Sequence, residues 1–390
     1  MKYLVVLILC LKMNAQHNKE IYQFSKDILN SIENDTLPWK YQIGATSYSF
    51  GQYYLKSLKA WDLNGAGVQR MSKEDSLYFK TFKPQRAKEY ILERSKSERL
   101  IIINEAHHNS MHRVFTTSLL KELYDNGYRF FGLEAISDTL INKRKFVTTE
   151  SGYYTNEPQM SNLINEAIKI GYTIFNYEAS NGKNGKEREI EQAINIANII
   201  NKNPNSKFLI HCGWEHVIEG TPVNKNWEKA MAGRLKDFAK IDPFTIDQTQ
   251  YSEKGDSKYN SPYINLINVD YSIIMTNEKG VLFNGEIENN QTDCRVIHPV
   301  TKYKYDRPNW LFMSGERKKY RLPKDKIPQF PILVLAYKIG VFEQKGTPFD
   351  VIEILDENTI GNLILEKGKY KIIIKDKNYN IISQYEQIIK

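Results

Sequence analysis

The chain has 390 residues, of which 41% are hydrophobic and 12% aromatic, and 54 basic against 46 acidic side chains give a formal charge of +8. These fractions are typical of a globular protein and exclude a largely disordered chain, a collagen and a helical membrane protein. The positive charge is mild and forms no basic cluster, so no nucleic-acid partner is predicted. Three cysteines are too few for a disulfide scaffold or a four-cysteine zinc site.

Residues 1–16 are typical of a secretory signal peptide. Lys2 precedes an uninterrupted apolar run from Tyr3 to Leu11, and the small residue Ala15 suits a cleavage site. The run is too short to cross a bilayer, which takes about 20 residues, and no other stretch approaches that length. We therefore predict a secreted or periplasmic protein without an integral membrane span. A buried N-terminal strand is the alternative interpretation of this segment.

Residues 17–97 are predicted to be a helical segment that covers the core, with its last helix from Gln85 to Lys96. Residues 98–320 alternate short apolar runs with amphipathic segments, which predicts strands and helices in turn. Such alternation with short connections is typical of an α/β fold with a mostly parallel sheet flanked by helices. The predicted strands are Leu100–Ile103, Arg129–Leu133, Tyr172–Tyr177, Lys207–Ile210 and Phe244–Ile246, and the predicted helices are Met111–Asn126, one that includes Leu163–Ile170, Glu187–Asn201 and Trp227–Ala239.

Residues 321–390 have a different pattern from the core. Short β-rich runs separated by turn residues replace the helical periodicity. We therefore predict a small C-terminal antiparallel β module, whose role the sequence leaves open. The predicted strands are Ile332–Ala336, Val351–Ile354, Tyr370–Ile374 and Asn380–Ser383.

Polar side chains follow every predicted strand of the core. Because ligands bind at the carboxyl ends of the strands in parallel α/β sheets, these side chains are expected to meet in one crevice. Five of the seven histidines fall in just two of these segments. The two segments are Asn104-Glu105-Ala106-His107-His108-Asn109-Ser110-Met111-His112-Arg113 and His211-Cys212-Gly213-Trp214-Glu215-His216, while Glu134, Glu178 and Asp247 follow the other three strands.

This set of side chains suits hydrolysis. His108 and His112 share a helix face if the helix starts by residue 108, and histidine is the natural general base near neutral pH. Glu105 or Glu134 can hold an imidazole in the useful tautomer and stabilise its protonated form. Arg113 can fix a carboxylate or meet an anionic group of a substrate. Histidine and glutamate side chains also suit a divalent metal ion with an open water position, although no HExxH motif is present.

Several of these residues also have a purely structural interpretation. His107 alone is more typical of a hydrogen-bonded loop histidine, and Cys212 of a small buried core residue than of a thiol nucleophile. A disulfide between Cys212 and Cys294 is left open. The sequence has no glycine-rich phosphate loop and no G-x-S-x-G motif, which disfavours kinases, Rossmann enzymes and serine α/β-hydrolases.

At these positions the chain resembles the erythromycin-esterase-like, ChaN-like and TIKI/TraB-like superfamily, and within it a secreted branch. The resemblance covers roughly residues 98–250. It rests on Glu-x-x-His after the first core strand, a glutamate after the second and late histidines, and Asn104 stands where the superfamily has glycine. The matching segments are Asn104-Glu105-Ala106-His107-His108, Phe131-Gly132-Leu133-Glu134 and His211-Cys212-Gly213-Trp214-Glu215-His216, with 152–158 and 241–249 for the branch.

The resemblance implies a secreted or periplasmic hydrolase of the esterase type. In such an enzyme His112 would activate a water that attacks an ester, lactone or amide of a small-molecule or peptide substrate. The alternatives are a metal-dependent hydrolase or protease, as in TIKI-like proteins, and a haem- or ligand-binding protein without turnover, as in ChaN-like proteins. The predicted catalytic residues are Glu105, His108, His112, Glu134, His211 and His216, the substrate-binding residues Arg113, Glu178 and Asp247, and the metal ligands, if a metal is bound, Glu105, His108, Glu134 and His216.

Overall fold

The computed structural model describes residues 20–134, 136–220, 222, 224–285, 291–359 and 361–390. The predicted signal peptide, residues 1–16, lies outside the described residues, as do Cys10 and His17. In the described part of the chain, no helix combines the length and the apolar character that crossing a bilayer needs.

The described chain begins with helices that pack through a small apolar core. Ile28 and Ile32 of the first helix bury their side chains against Ala45 and Tyr48 of the second. Before the last helix of this segment the chain forms a short strand, which the sequence analysis did not predict. The elements are α1 (Ser25–Asn34), α2 (Lys40–Phe50), α3 (Tyr54–Asp62), α4 (Lys73–Phe79), β1 (Lys83–Arg86) and α5 (Ala87–Ser95).

A six-stranded sheet forms the core of the fold, and all of its strand pairs are parallel. The elements, in chain order, are β2 (Leu100–Glu105), α6 (Ser110–Asp125), β3 (Tyr128–Leu133), α7 (Ile141–Arg144), α8 (Pro158–Ile170), β4 (Thr173–Asn176), α9 (Gly185–Lys202), β5 (Lys207–Gly213), α10 (Met231–Ala239), β6 (Phe244–Asp247), β7 (Ile273–Thr276) and β8 (Cys294–Arg295). The strand order is β4-β3-β5-β2-β6-β8, and β7 pairs with β1 outside this sheet.

Both faces of the sheet are covered, because the strand side chains alternate between two apolar clusters. Ile101 and Ile103 of β2 pack in the cluster that includes side chains of α6 and α8. Leu100 and Ile102 pack on the other face, with side chains of α9 and α10. A strand buried on both faces has no polar position except at its end, so the ionisable side chains collect where β2, β3 and β5 stop.

The C-terminal module is antiparallel, as predicted. Its main sheet has the order β13-β12-β15-β16, and β11 pairs with β14 in a second small sheet. One face of the main sheet packs on Tyr22, Phe24 and Phe50 of the N-terminal segment. The elements are β9 (Tyr303–Lys304), β10 (Arg307–Pro308), β11 (Arg317–Arg321), β12 (Ile332–Lys338), β13 (Asp350–Ile354), β14 (Asn362–Glu366), β15 (Gly368–Lys375) and β16 (Ile381–Ile389).

The predicted fold class is confirmed, while several element bounds differ. The helix predicted from Gln85 starts at Ala87, because residues 83–86 pair with β7. The helix predicted from Trp227 starts at Met231, since Glu228 has a left-handed φ of 59° that no α-helix accommodates. The last strand runs on to Ile389, and the predicted boundary at residue 320 falls inside β11.

Candidate functional site

A small cavity lies at the carboxyl ends of β2, β3 and β5. The register places Glu105 beside Gly213 and Leu133 beside His211, so side chains from three strand ends converge there. The cavity is partly open and has a volume of about 20 Å³, enough for roughly one water molecule. The lining residues are Glu105, His107, Leu133, Glu134, Ile136, Tyr154, Thr155, Met160, Ile164, His211, Cys212 and Gly213.

His107 and Glu105 form a hydrogen-bonded pair at this cavity. The Nδ1 atom of His107 lies 2.9 Å from Oε1 of Glu105, and the imidazole stacks on the ring of Tyr154 with centroids 3.9 Å apart. The Nε2 atom of His107 has no hydrogen-bond partner among the described residues. A carboxylate on Nδ1 favours the Nδ1–H tautomer, which leaves the Nε2 lone pair free to accept a proton.

Arg113 holds Glu105 in its ionised form. The guanidinium donates to both carboxylate oxygens of Glu105, with Nη2 2.7 Å from Oε1, and to Oε2 of Glu157 at 2.8 Å. All three side chains are buried. Burial alone would raise the pKa of Glu105, but the charge of Arg113 and the hydrogen bonds from His107 and Arg113 hold it well below its usual range. Glu105 is therefore a fixed negative charge beneath the imidazole.

Glu134 supplies a second carboxylate at the cavity. Its Oε2 atom accepts from the backbone N–H of Gly213, and its Oε1 atom accepts from Nη2 of Arg188 at 2.7 Å. Burial would raise the pKa of Glu134, but the charge of Arg188 and the hydrogen bond from the Gly213 N–H hold it below its usual range. Glu134 is consequently ionised at neutral pH.

Gly213 leaves the space in which His107 and Glu134 approach each other. A Cβ atom at this position would lie 2.4 Å from Cε1 and 2.7 Å from Nε2 of His107, and 3.2 Å from Oε2 of Glu134. The backbone of Gly213 has an ordinary extended conformation, with φ at −85°. Glycine is therefore required here for space and not for an unusual φ angle.

His211 is buried against the cavity in its neutral form. Its Nε2 atom finds no hydrogen-bond partner in the described part of the chain. Burial lowers the pKa of His211 to about 4. The neighbouring Cys212 is also buried, which raises the pKa of its thiol well above the usual range and keeps it protonated. Cys212 and Cys294 are both free thiols, so the disulfide left open by the sequence is not formed.

The structure separates His108 and His112, which the sequence prediction joined on one helix face. Helix α6 begins only at Ser110, after the N-cap residue Asn109, so His108 precedes the helix. The His108 ring stacks on Trp61 with centroids 4.3 Å apart. His112 is fully buried, and its Nδ1 atom accepts from the N–H of Ala106 at 3.0 Å. Neither histidine lines the cavity.

His216 and Glu178 belong to a network centred on Arg188. Arg188 donates to both oxygens of Glu178 and, at 2.8 Å, to Nε2 of His216. Because an arginine can only donate, Nε2 of His216 is an acceptor, and Nδ1 donates to the buried carboxylate of Glu189 at 2.9 Å. The geometry thus fixes a neutral His216, although Glu189 and Glu134 raise its pKa against the effect of burial. Arg188 therefore hydrogen-bonds to three predicted site residues, Glu134, Glu178 and His216.

Asp247 and Arg113, predicted to bind substrate, are both engaged within the fold. Asp247 accepts from the Asn104 side chain at 2.7 Å, and Asn104 also donates to the carbonyl of Trp214 at 2.8 Å. Asn104, where the superfamily has glycine, therefore cross-links the ends of three strands. Arg113 is completely buried and fixes two carboxylates, which is the first of the two roles predicted for it.

The four predicted metal ligands do not form one ligand set. Glu105 and Glu134 both line the cavity, but Arg113 occupies both oxygens of Glu105, and Arg188 and Gly213 occupy those of Glu134. His216 lies between Arg188 and Glu189, and His108 lies against Trp61. Among the residues that the structure describes, no group of three or more histidine, cysteine, aspartate or glutamate side chains is placed to hold a metal ion. A space of about 20 Å³ also does not fit a porphyrin. The donor set therefore fits neither the metal nor the haem alternative.

Sequence reasoning missed the groups that organise this cavity. His107 belongs to the histidine-rich segment after the first core strand but not to the predicted catalytic set, although its position two residues after Glu105 at a strand end is the signal for the pair. Glu157, the N-cap of α8, accepts from Arg113, Ser110 and the N–H of Met160. Glu157 and Arg188 follow no core strand, and only the tertiary structure brings them to the site.

The buried neutral histidine makes stability dependent on pH. Because the pKa of His211 falls from 6.5 in the unfolded chain to about 4 in the folded one, the unfolded state binds the extra proton between these values, and stability falls as the pH decreases. We expect His211 to account for a loss of roughly 2 kcal/mol between pH 7 and pH 5. Urea unfolding of the wild type and His211→Gln at both pH values measures this. An equal pH dependence in the two proteins would contradict it.

Comparisons with known proteins give weak similarities only. No protein-family model matches the chain, and no curated protein matches it significantly. Among solved structures, the type III effector HopBA1 is 10% identical with a TM-score of 0.33, over 46% of this chain and 94% of that one. RRSP, a MARTX toxin effector domain from Vibrio vulnificus CMCP6, is 13% identical with a TM-score of 0.26, over 54% of this chain and 46% of that one. At these TM-scores the similarities say nothing about the reaction.

Proposed function

We propose that the protein is a hydrolase in which His107 activates a water molecule held in the cavity. The observation that carries this proposal is the His107–Glu105 pair, with Nδ1 on the carboxylate and Nε2 free beside a space for one water. A carboxylate-oriented imidazole next to a confined water is the arrangement that general base catalysis of hydrolysis needs. Glu105 is therefore a site residue, as predicted from the sequence. The general base is His107 and not His112.

Each ionisable residue of the cavity has a separate role in the reaction. As the water oxygen attacks the carbonyl carbon of an ester, lactone or amide, its proton passes to Nε2 of His107. The same proton then goes to the departing alcohol or amine, which balances the reaction. The fixed charge of Glu105 stabilises the imidazolium formed in between. Glu134, ionised at neutral pH, accepts a hydrogen bond from the water and orients it.

The apolar wall of the cavity suits an uncharged carbonyl group that approaches the water from outside, because the cavity itself has room for roughly one water molecule. Leu133, Ile136, Met160 and Ile164 line one part of it. The nearby cations Arg113 and Arg188 are already paired with carboxylates, so neither offers a free charge to an anionic substrate. An apolar wall beside a carboxylate-oriented base favours a neutral ester, lactone or amide over a phosphoester.

The resemblance to the erythromycin-esterase-like superfamily supports the same class of reaction. It implies that Glu105, His108, His112 and Glu134 line the cleft, and of these the two carboxylates line the cavity. We also propose that the chain belongs to that superfamily and that residues 1–16 direct its export. The reaction chemistry depends on neither of these.

Gly213→Ala tests the proposal without removing any ionisable group. Its Cβ would overlap the His107 ring, so the ring must leave the position between Glu105 and Glu134. We expect at least about a tenfold loss of kcat/KM on a panel of aryl esters, lactones and amides, with folding retained because the φ angle suits alanine. Gly67→Ala is the matched control, since a Cβ there meets open space. Equal turnover by the two variants would contradict the proposed site.

A further inference from the structure

The last strand of the C-terminal module has an unpaired edge. Strand β16 hydrogen-bonds to β15 on one side, and in the described part of the chain no strand pairs with its other side. Nine residues make it a long edge strand, and such an edge offers a row of backbone donors and acceptors to a second chain.

This edge lacks two of the features that usually prevent association, proline and lysine, and has one of them, a β-bulge near its start. Natural edge strands are commonly interrupted by proline or lysine, and β16 contains neither, with Glu386 as its only charged residue. The strand also exposes two large apolar side chains, since Ile381 is 47% and Ile388 is 55% exposed. An edge without proline or lysine and with exposed isoleucines near both ends indicates a surface that another β-strand covers.

The exposed side chains of β16 are complementary to themselves. The register against β15 shifts so that Ser383 faces Ile374 while Ile381 faces Lys375, which leaves Ile382 as the extra residue. In chain order the exposed side chains are Ile381, Gln384, Glu386 and Ile388.

An antiparallel copy of the same strand, centred on Tyr385, would place apolar side chains opposite apolar ones and polar side chains opposite polar ones. Counted outward from Tyr385, it would pair Gln384 with Glu386 of the second copy and, with the extra bulge residue Ile382 left out of the count, Ile381 with Ile388. Apolar side chains meet apolar ones, and each carboxylate meets an amide and not another charge.

We propose that the protein forms a symmetric dimer through antiparallel pairing of two β16 edges. The two main sheets of the C-terminal modules then form one continuous sheet across a two-fold axis, the commonest symmetry of soluble dimers. The strand edge and its alternating side chains carry this proposal independently of any catalytic role for the cavity. The strand that pairs with this edge is β16 of a second copy of this chain.

Charge substitutions at the exposed isoleucines test both the pairing and its direction. In the double variant Ile381→Lys/Ile388→Lys, two pairs of like charges face each other, and we expect the dimer to dissociate at least about tenfold more readily. In Ile381→Lys/Ile388→Glu, opposite charges meet across the same two positions, and we expect dimerisation to return. Both side chains are exposed, so neither variant should disturb folding.

Sedimentation velocity of the full chain over a range of concentrations measures the association. Leu355→Lys, at a similarly exposed leucine outside β16, is the matched control and should dimerise like the wild type. A wild-type chain that stays monomeric up to about 100 µM would overturn the proposal. A dimer that survives the lysine pair, or one that the lysine–glutamate pair does not restore, would equally overturn it.

Discussion

His107→Gln is expected to lower hydrolysis by about 10²- to 10⁴-fold, the usual contribution of a positioned general base. Glutamine fills a similar volume beside Tyr154 but has no nitrogen that accepts a proton near neutral pH. The His107 side chain is 16% exposed and pairs with Glu105, and a glutamine amide can donate to the same carboxylate, so we expect the substitution to lower the free energy of unfolding by at most about 1 kcal/mol. Initial rates on the responsive substrate, with urea unfolding of the same preparations, measure both effects.

His112→Gln is the informative comparison for this variant. Its side chain is fully buried, so the substitution should reduce stability while the folded fraction keeps nearly normal turnover. The assignment drawn from sequence predicts the reverse, with His112 as the residue that activates water. Loss of turnover in His112→Gln together with normal turnover in His107→Gln would refute the assignment made from the structure.

Arg113→Met is expected to cost about 3–5 kcal/mol of stability at pH 7, because it leaves the charges of Glu105 and Glu157 buried without their partner. The loss should shrink as the pH falls toward 5, since the pKa of Glu105 is no longer held down by the guanidinium and its carboxyl group can take up a proton. Urea unfolding at both pH values measures this.

Lys121→Met provides the control for removing a cation. Lys121 pairs with Asp125 at 2.6 Å on the surface, where both side chains are more than half exposed, and such pairs contribute at most about 1 kcal/mol. If Arg113→Met destabilised the protein no more than this control, Arg113 would not be the residue that holds the two buried carboxylates.

The sheet was predictable because its strands are buried on both faces. Runs such as Leu100–Ile103 have the apolar character of such strands, and they end where the first polar residues occur. The same reasoning placed Glu105, Glu134 and His211 at one edge, where they do line a common cavity. Strand ends are fixed by local sequence, and parallel pairing brings them together.

The assignment of roles to the histidines was not predictable from spacing. His108 and His112 are four residues apart, but Asn109 caps the helix and leaves His108 outside it. Glu157 reaches the site from the N-cap of α8, and Arg188 reaches it from the first turn of α9. Both helices are distant in sequence from the strand end that carries Glu105. The spacing of residues in the sequence predicts which side chains share one helix or strand. These contacts depend instead on how separate helices and strands pack together.

In the proposed site a single water lies between His107 and Glu134, with Glu105 behind the imidazole. A crystal structure at a resolution that shows ordered water and ring orientation tests it most directly. We predict a water hydrogen-bonded to Nε2 of His107 and to the carboxylate of Glu134, with Nδ1 of His107 on Glu105. A metal ion coordinated by Glu105 or Glu134 in that space, or an imidazole turned away from Glu105, would contradict the proposed site.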